Sequence, residues 1–259
     1  MKGSDGCQKI DCKGCLFYTI VYETLFIVMG NITRFFTNHY NDTFRKKFRS
    51  NRLLPFMEMI ETVYSNKGSV SILDVGGEAN YWKILGDDYL EKFNVKITLL
   101  NLPTGKVLKD TTLIKHIDFD ATNQIWDFYN QSDFDLIHSN SVIEHVGDWE
   151  MMKKFASNIT TFKGGYFVQV PNFWFPVEPH CMTLFFHWFP KPIRLFLVQK
   201  MKLGHWPKAN NISEAVEIVD SARLLNKLQF AFLFNDAEII SEKLFLLTKS
   251  FVAIRRVVE

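Results

Sequence analysis

Val70-Ser71-Ile72-Leu73-Asp74-Val75 runs straight into Gly76-Gly77. Apolar residues occupy both odd and even positions of this run, so a strand built from it is covered on both faces, as in a parallel sheet flanked by helices. The two glycines mark a tight turn at its carboxyl end. A second strand is predicted at Lys96-Ile97-Thr98-Leu99-Leu100-Asn101. Between the two, Tyr81 to Lys92 is long enough for a crossover helix, which makes the pair parallel.

Outward from this pair the alternation repeats. Strands are predicted near Ile114 to Ile117, at Phe134 to His138 and at Gly165 to Val170, with a helix over Trp149 to Ile159. A helix over Ser213 to Leu228 and two closing strands, Glu238 to Leu247 and Ser250 to Val257, complete the chain. The pattern predicts an α/β fold: a doubly wound, Rossmann-like, seven-stranded and mostly parallel sheet with helices on both faces.

This core is assigned to residues 67–259. Residues 1–66 read as an N-terminal helical segment packed on it, because apolar residues recur at three- and four-residue steps, including Phe44, Phe48, Leu53, Phe56 and Ile60. Arg45, Lys46, Lys47, Arg49 and Arg52 give one helix a basic face. After Pro171, residues of about 173–212 form an aromatic, proline-punctuated insertion placed to act as a lid after the fifth strand.

The 259 residues are 47% hydrophobic, enough for one large core. Lys and Arg total 30 against 28 Asp and Glu, a formal net charge of +2, so no global field draws in nucleic acid and no such partner is expected. The start carries no secretory pattern. The apolar stretch Leu16 to Met29 is interrupted by Glu23 and falls short of the roughly 20 residues that cross a bilayer. A cytoplasmic protein is expected, with that helix packed on the domain or lying at the inner membrane surface. Cys7, Cys12 and Cys15 lack the second Cys/His pair of a structural zinc site, and with Cys181 they read as reduced thiols.

Ligands of an open α/β sheet sit outside the carboxyl ends of its strands. Asp74, Gly76, Gly77, Asn101, Asp120, Asn140 and Glu144 all fall at or just beyond such ends. On Leu73-Asp74-Val75-Gly76 and, more specifically, Ser139-Asn140-Ser141-Val142-Ile143-Glu144-His145-Val146, the chain resembles the class I S-adenosylmethionine-dependent methyltransferases, in the type 11-like group with quinone-pathway members. The resemblance covers about Val70 to Val257. It implies S-adenosylmethionine as cofactor, with Asp74, Gly76 and Gly77 at its methionine end, Asn101 and Leu102 at the ribose, Asp120 and Ala121 at the adenine, and Asn140 and Ser141 bordering the sulfonium. Two departures stand out. Glu78 and Asn80 occupy the second and third glycine positions of the family's Asp-x-Gly-x-Gly-x-Gly loop, and neutral Asn101 stands where an acidic residue usually grips the ribose. Cofactor binding is expected to persist.

The implied activity is methyl transfer to a small-molecule, glycan or lipid-linked acceptor, with O-methylation favoured. His145 is the candidate general base, with Glu144 beside it; packing or a backbone hydrogen bond is the competing account of His145. Trp174, Glu178 and His180 are candidate acceptor contacts. No metal is expected. Related quinone and small-RNA methyltransferases hold a divalent cation with a Glu-x-x-Glu-His element, but Ser141 replaces its first Glu here, leaving Glu144, His145, Glu178 and His180 as the residues of that alternative. The aromatic insertion, with Lys191, Arg194 and Lys200, fits three roles: cover for a hydrophobic acceptor, a peripheral membrane contact, or packing of the lid itself. The competing function is a noncatalytic, regulatory S-adenosylmethionine-binding protein, motivated by Glu78 and Asn80. A nicotinamide-dependent oxidoreductase would need Gly-x-Gly-x-x-Gly, where the chain has Gly76, Glu78 and Tyr81.

Overall fold

The computed structural model describes residues 42–103 and 110–256. The expectations for Cys7, Cys12, Cys15 and the Leu16 to Met29 helix lie outside the described residues, as do the side chains of Phe44, Arg45, Lys46 and Lys47.

Helix α1 (Asp42–Lys67) buries Leu53, Phe56, Met59, Ile60 and Val63, a three- and four-residue spacing that lays them on one face. The strands β1 (Val70–Val75), β2 (Val95–Asn101), β3 (Ile114–Asp118), β4 (Leu136–Asn140) and β5 (Gly165–Pro171) are all parallel. The lid carries a two-residue hairpin, β6 (Val177–Glu178) and β7 (Thr183–Leu184), in a sheet of its own. The closing hairpin, β8 (Glu238–Leu244) and β9 (Leu247–Arg255), pairs antiparallel and adds to β5 through β9. The main sheet therefore has seven strands in the order β3-β2-β1-β4-β5-β9-β8.

Alternation along β1 sends Val70 and Ile72 to the face covered by α1, and Leu73 and Val75 to the opposite face. That opposite face is covered by α4 (Trp149–Thr160), through Met152, Phe155 and Ile159, and by α7 (Lys227–Leu233), through Phe230 and Leu233. Asp148 caps α4, its side chain accepting from the Met151 amide at 3.0 Å.

Several element boundaries differ from expectation; in the closing hairpin the turn falls at Phe245-Leu246, so Leu247 begins the last strand instead of ending the one before it. The crossover predicted as one helix over Tyr81 to Lys92 is two short ones, α2 (Ala79–Trp82) and α3 (Asp87–Lys92), separated at Gly86, whose φ of 82° no helix accommodates. The helix predicted over Ser213 to Leu228 is likewise two, α6 (Ile212–Asp220) and α7, because Asn226 starts a new helix through a capping box with Gln229. The fourth strand begins at Leu136, two residues later than predicted, since the Asp135 side chain accepts from the Ser71 amide at 2.9 Å and ion-pairs with Lys67. It then runs on to Asn140, which carries Ser139 and Asn140 into the sheet.

The insertion has a small core of its own. Between α5 (Lys191–Lys200) and α6, the residues Cys181, Phe186, Val198, Leu203, Ala215 and Val219 bury one another. Of the aromatic content that suggested a covering surface, Phe186 and Trp206 pack this core, whereas Trp174, Phe185, Trp188 and Phe196 are exposed. No helix among the described residues is long and apolar enough to cross a membrane.

Candidate active site

Strand order reverses between β1 and β4, and the crevice expected there is present. It measures about 810 Å³ and is lined by Gly76, Gly77, Asn101, Leu102, Asp120, Ala121, Ser141 and His145 among others, a size ordinary for small-ligand sites. Two glycines shape its floor. Gly76 has φ +74°, and a Cβ there would lie 2.5 Å from Val142; a Cβ on Gly77 would fall 1.7 Å from Oδ2 of Asp74. Asn101 donates to the Gly77 carbonyl at 3.0 Å, tying the tip of β2 to the glycine turn. Asp120 Oδ1 accepts from the Thr122 amide at 2.8 Å and its hydroxyl at 2.7 Å, which fixes the turn beyond β3. Exposed Glu78 also lines the crevice.

Asp74 lies elsewhere than the sequence predicts. It is fully buried, accepting from Trp82 Nε1 at 2.8 Å and His138 Nδ1 at 2.7 Å, and it is not among the residues lining the crevice. The reason is parity: Asp74 points to the α1 face with Val70 and Ile72, so the carboxylate braces the glycine turn from beneath.

Asn140 and Ser141 separate in a similar way. Ser141 (φ 56°) donates its hydroxyl to Gln169 Oε1 at 2.8 Å and lines both the crevice and a second cavity of about 260 Å³. Asn140 lines the second cavity alone, where its Oδ1 accepts from Arg52 Nη1 at 2.8 Å. The basic-face reading of α1 needs correction here, because the Arg52 side chain is only 7% exposed and its Nε pairs with Glu242 at 2.7 Å.

Beyond β4, the turn Ile143–His145 meets the lid. His145 lines the crevice; its Nδ1 donates to the Ser221 carbonyl at 2.7 Å, and its Nε2 faces His180 Nε2 at 3.0 Å. On the other side, His180 Nδ1 meets Glu178 Oε1 at 2.7 Å. Glu178 also accepts from the His180 and Cys181 amides at 2.7 Å each. Partial desolvation and the facing His180 hold His145 below the ordinary imidazole range, although its bond to Ser221 opposes this. Desolvation pulls His180 down too, but the Glu178 hydrogen bond and charge outweigh it and raise His180. Glu178 sits low, since the hydrogen bonds from His180 and Cys181 overcome the cost of burial. Glu144 is 1% exposed, with no hydrogen-bond partner on either carboxylate oxygen. Burial pushes it up to about 7. Ligand-capable atoms of Glu144, His145 and His180 lie within 4.8 Å of one another.

No protein-family model matches the chain, and no curated protein matches it. Among solved structures it is similar to an O-methyltransferase family protein from Burkholderia thailandensis (11% identity, 85% of this chain and 62% of that one, TM-score 0.43). It is also similar to the trans-methyltransferase CalH in complex with SAH (11%, 85% and 60%, TM-score 0.47) and to human N-acetylserotonin methyltransferase in complex with SAM (14%, 81% and 57%, TM-score 0.39). The chain thus spans about three-fifths of the length of these proteins. Five parallel strands ordered about β1 and β4, with the reversed β9 set between β5 and the edge strand β8, decide the architecture. The fold is a doubly wound, Rossmann-like α/β sheet, as expected.

Within this fold the lid residues divide. His180 joins His145, but Glu178 is buried behind it as an organiser of the turn, and Trp174 is 61% exposed and lines neither the crevice nor the second cavity. Asn158 was missed by the sequence reading. It is buried on α4 and holds the wall beyond β3 by donating to the Ala121 carbonyl at 2.9 Å and the Asn123 carbonyl, while accepting from the Ile125 amide. A polar residue on the apolar face of an amphipathic helix was the available signal. His138 was missed as well, being hidden inside a strand that reads as ordinary core.

Proposed function

We propose that the crevice binds S-adenosylmethionine and that the chain transfers its methyl group to a small molecule held in the adjoining cavity. The observation that carries this reading is the convergence of Gly76, Gly77, Asn101, Leu102, Asp120, Ala121 and Ser141 on one space of about 810 Å³ that meets the second cavity at Ser141. The walls fit a nucleoside: Gly76 and Gly77 leave backbone bare of side chain where it must approach a ligand closely, and Asp120 adds an acceptor at the far end. Asn101, Leu102, Asp120 and Ala121 would hold the adenosine; Gly76 and Gly77 would hold the amino-acid end. When bound, the cofactor supplies an activated methyl on sulfur. The chain's part is then to align an acceptor and exclude water. For an oxygen acceptor, the hydroxyl proton passes to the His145–His180 pair, whose Nδ1 atoms are already engaged by Ser221 and Glu178, leaving Nε2 as the basic atom of each ring.

Calorimetric titration with S-adenosylhomocysteine tests the binding step. One-to-one binding that is lost in Gly77→Leu is expected, and no binding to the folded wild-type chain would overturn the reading. Transfer of a labelled methyl group into a small-molecule extract separates enzyme from regulatory protein.

A second reading of the histidine pair is a divalent cation. Two imidazole lone pairs face each other beside a buried carboxylate without a partner, and each imidazole is oriented by an acceptor on its far nitrogen, as outer-shell partners orient metal ligands. Glu144, His145 and His180 would ligate, with Glu178 behind them. Titration of chelator-treated protein with zinc or manganese is expected to show one site, absent in His180→Ala. Binding of neither ion leaves the pair to proton transfer alone.

The exposed Trp174, Trp188 and Phe196 of the lid, with Lys200 Nζ 5.6 Å from the Phe196 ring centre, support a peripheral membrane contact. Cosedimentation with anionic vesicles, absent for neutral ones, is the expected result.

A further inference from the structure

We infer that the turn of the closing hairpin, Phe245-Leu246, is a membrane wedge that enters the lipid interface together with Trp174 and Phe185 of the lid. The inference deepens the peripheral contact proposed above for the lid and rests on it; the methyl-transfer reading is not needed.

Leu244 pairs with Leu247, so the chain reverses through two residues alone. Phe245 has φ 55°, a conformation for which turns of this length favour Gly, Asn or Asp. A bulky side chain there is unusual. Neither residue contributes to the core: Phe245 is 84% exposed and Leu246 94%, and Leu247 after them is exposed as well. Turn chemistry and burial both argue against Phe-Leu at this place. The pair is accounted for by a contact that the described residues do not supply.

The lid places more apolar surface beside the tip. Leu244 is buried in one small cluster with Phe175, Val177 and Leu184. Trp174 precedes Phe175 in the chain and Phe185 follows Leu184, so the exposed rings of both emerge beside the same cluster as Phe245. Phe185 repeats the pattern of the tip, a large exposed ring at φ 57°. Trp188 links the two rings, its centroid 4.8 Å from Phe185 and 6.1 Å from Trp174. Its Nε1 already donates to the Phe173 carbonyl at 2.8 Å, which readies the ring for an apolar surrounding.

A bilayer fits this surface better than a protein does. A stable protein interface takes about 800 Å² per partner, and a narrow two-residue turn presents only a fraction of that. Aromatic rings beside an aliphatic tip suit the headgroup boundary, and a hairpin paired up to its turn carries few unpaired backbone groups into it. Charge agrees with lipid. From Phe173 to Lys208 the lid has five Lys or Arg against one acid, the buried Glu178, in a chain of formal charge +2. Lys191 is paired with Asp220, whereas Lys200, Lys202 and Lys208 are exposed, as is Lys243 two residues before the tip. Exposed lysines of this kind favour anionic headgroups. Phe175 and Val177 also line the second cavity, so insertion brings one wall of that cavity to the lipid surface.

The test uses the full chain and vesicles of mixed phosphatidylcholine and phosphatidylglycerol. Wild type is expected to cosediment with them. Phe245→Gly/Leu246→Ser, which supplies the glycine that a positive φ favours, is expected to bind at least about tenfold more weakly with a melting temperature at or above that of wild type. In Leu246→Trp, lipid brominated in the acyl chain is expected to quench more emission than in wild type. Unchanged vesicle binding in the turn variant would overturn the inference, and loss of binding in Trp174→Ala alongside it would leave the lid contact standing. A lowered melting temperature in the turn variant would assign the two side chains to packing and overturn it too. Self-association of wild type that the turn variant abolishes would give the surface to a second copy of the chain and likewise overturn it. No binding by wild type would reject both the wedge and the lid contact.

Discussion

His138 Nδ1 lies 2.7 Å from Asp74 Oδ1, and both residues are sealed from solvent on neighbouring parallel strands, where they are register partners. With Trp82 Nε1 on the other carboxylate oxygen, the pair locks β1 to β4 at the point where strand order reverses. The imidazole is itself stacked on Phe167 at 5.5 Å and 10°, so it cannot swing away to seek another partner. Asp74→Ala strands two buried donors, each costing about 1–3 kcal/mol. Urea unfolding is expected to show that loss, with Asp74→Asn less damaging; a change below about 1 kcal/mol would contradict the bracing role.

Gly77→Ala is expected to destabilise the chain through the same carboxylate. The new Cβ would sit 1.7 Å from Asp74 Oδ2, and Asp74 cannot yield because Trp82 and His138 hold it. Overpacking of this kind costs about 1–3 kcal/mol. The distinguishing measurement is the double variant: Gly77→Ala should cost less when Asp74 is already Ala, a non-additivity that thermal unfolding reads directly.

Arg52 and Glu242 form an ion pair whose side chains are 7% and 10% exposed. Arg52→Met leaves Glu242 buried and unpaired, a defect worth about 3–5 kcal/mol. The double variant Arg52→Met/Glu242→Leu removes the stranded charge and should recover most of that loss. If both variants unfold at the same urea midpoint, the pair does not stabilise this corner.

Stability should fall as pH rises through the range set by Glu144. Its folded pKa is raised from 4.5 to about 7 by burial, so between those values the folded chain keeps a proton that the unfolded chain has released. The contribution is fully present below the unfolded value and is gone once pH passes the folded one. The raised His180 acts in the same direction at higher pH. Urea midpoints taken in chelator near pH 5 and pH 8 should differ in wild type and differ less in Glu144→Gln, which keeps only the other titrating groups; an undiminished difference in the variant would contradict an unpartnered buried carboxyl.

The parallel core was legible because its signal is local. Five strand starts lie within two residues of expectation, since strands buried on both faces read as continuous apolar runs bounded by turns. Helix interruptions at Gly86 and Asn226 were harder to read: amphipathic periodicity continues across a break, and only the capping residues betray it. The strand tips were legible for the same reason as the strands. Gly76, Gly77, Asn101, Leu102, Asp120, Ala121 and Ser141 share one crevice because every parallel strand delivers its carboxyl end to one edge of the sheet. His145 and His180, 35 residues apart, were grouped in the sequence only as members of the metal alternative, and it is the course of the lid that sets their Nε2 atoms 3.0 Å apart.

The sequence by itself determined the strands, their parallel direction and the edge at which a ligand can sit, because periodicity and turn chemistry act between near neighbours. Tertiary structure decided which side of that edge each polar group serves. Strand parity turned Asp74 inward toward His138, helix docking buried Arg52 against Glu242, and lid closure set His180 against His145. Such pairings join residues 35 to 190 positions apart, and they depend on how elements pack, which no local pattern encodes.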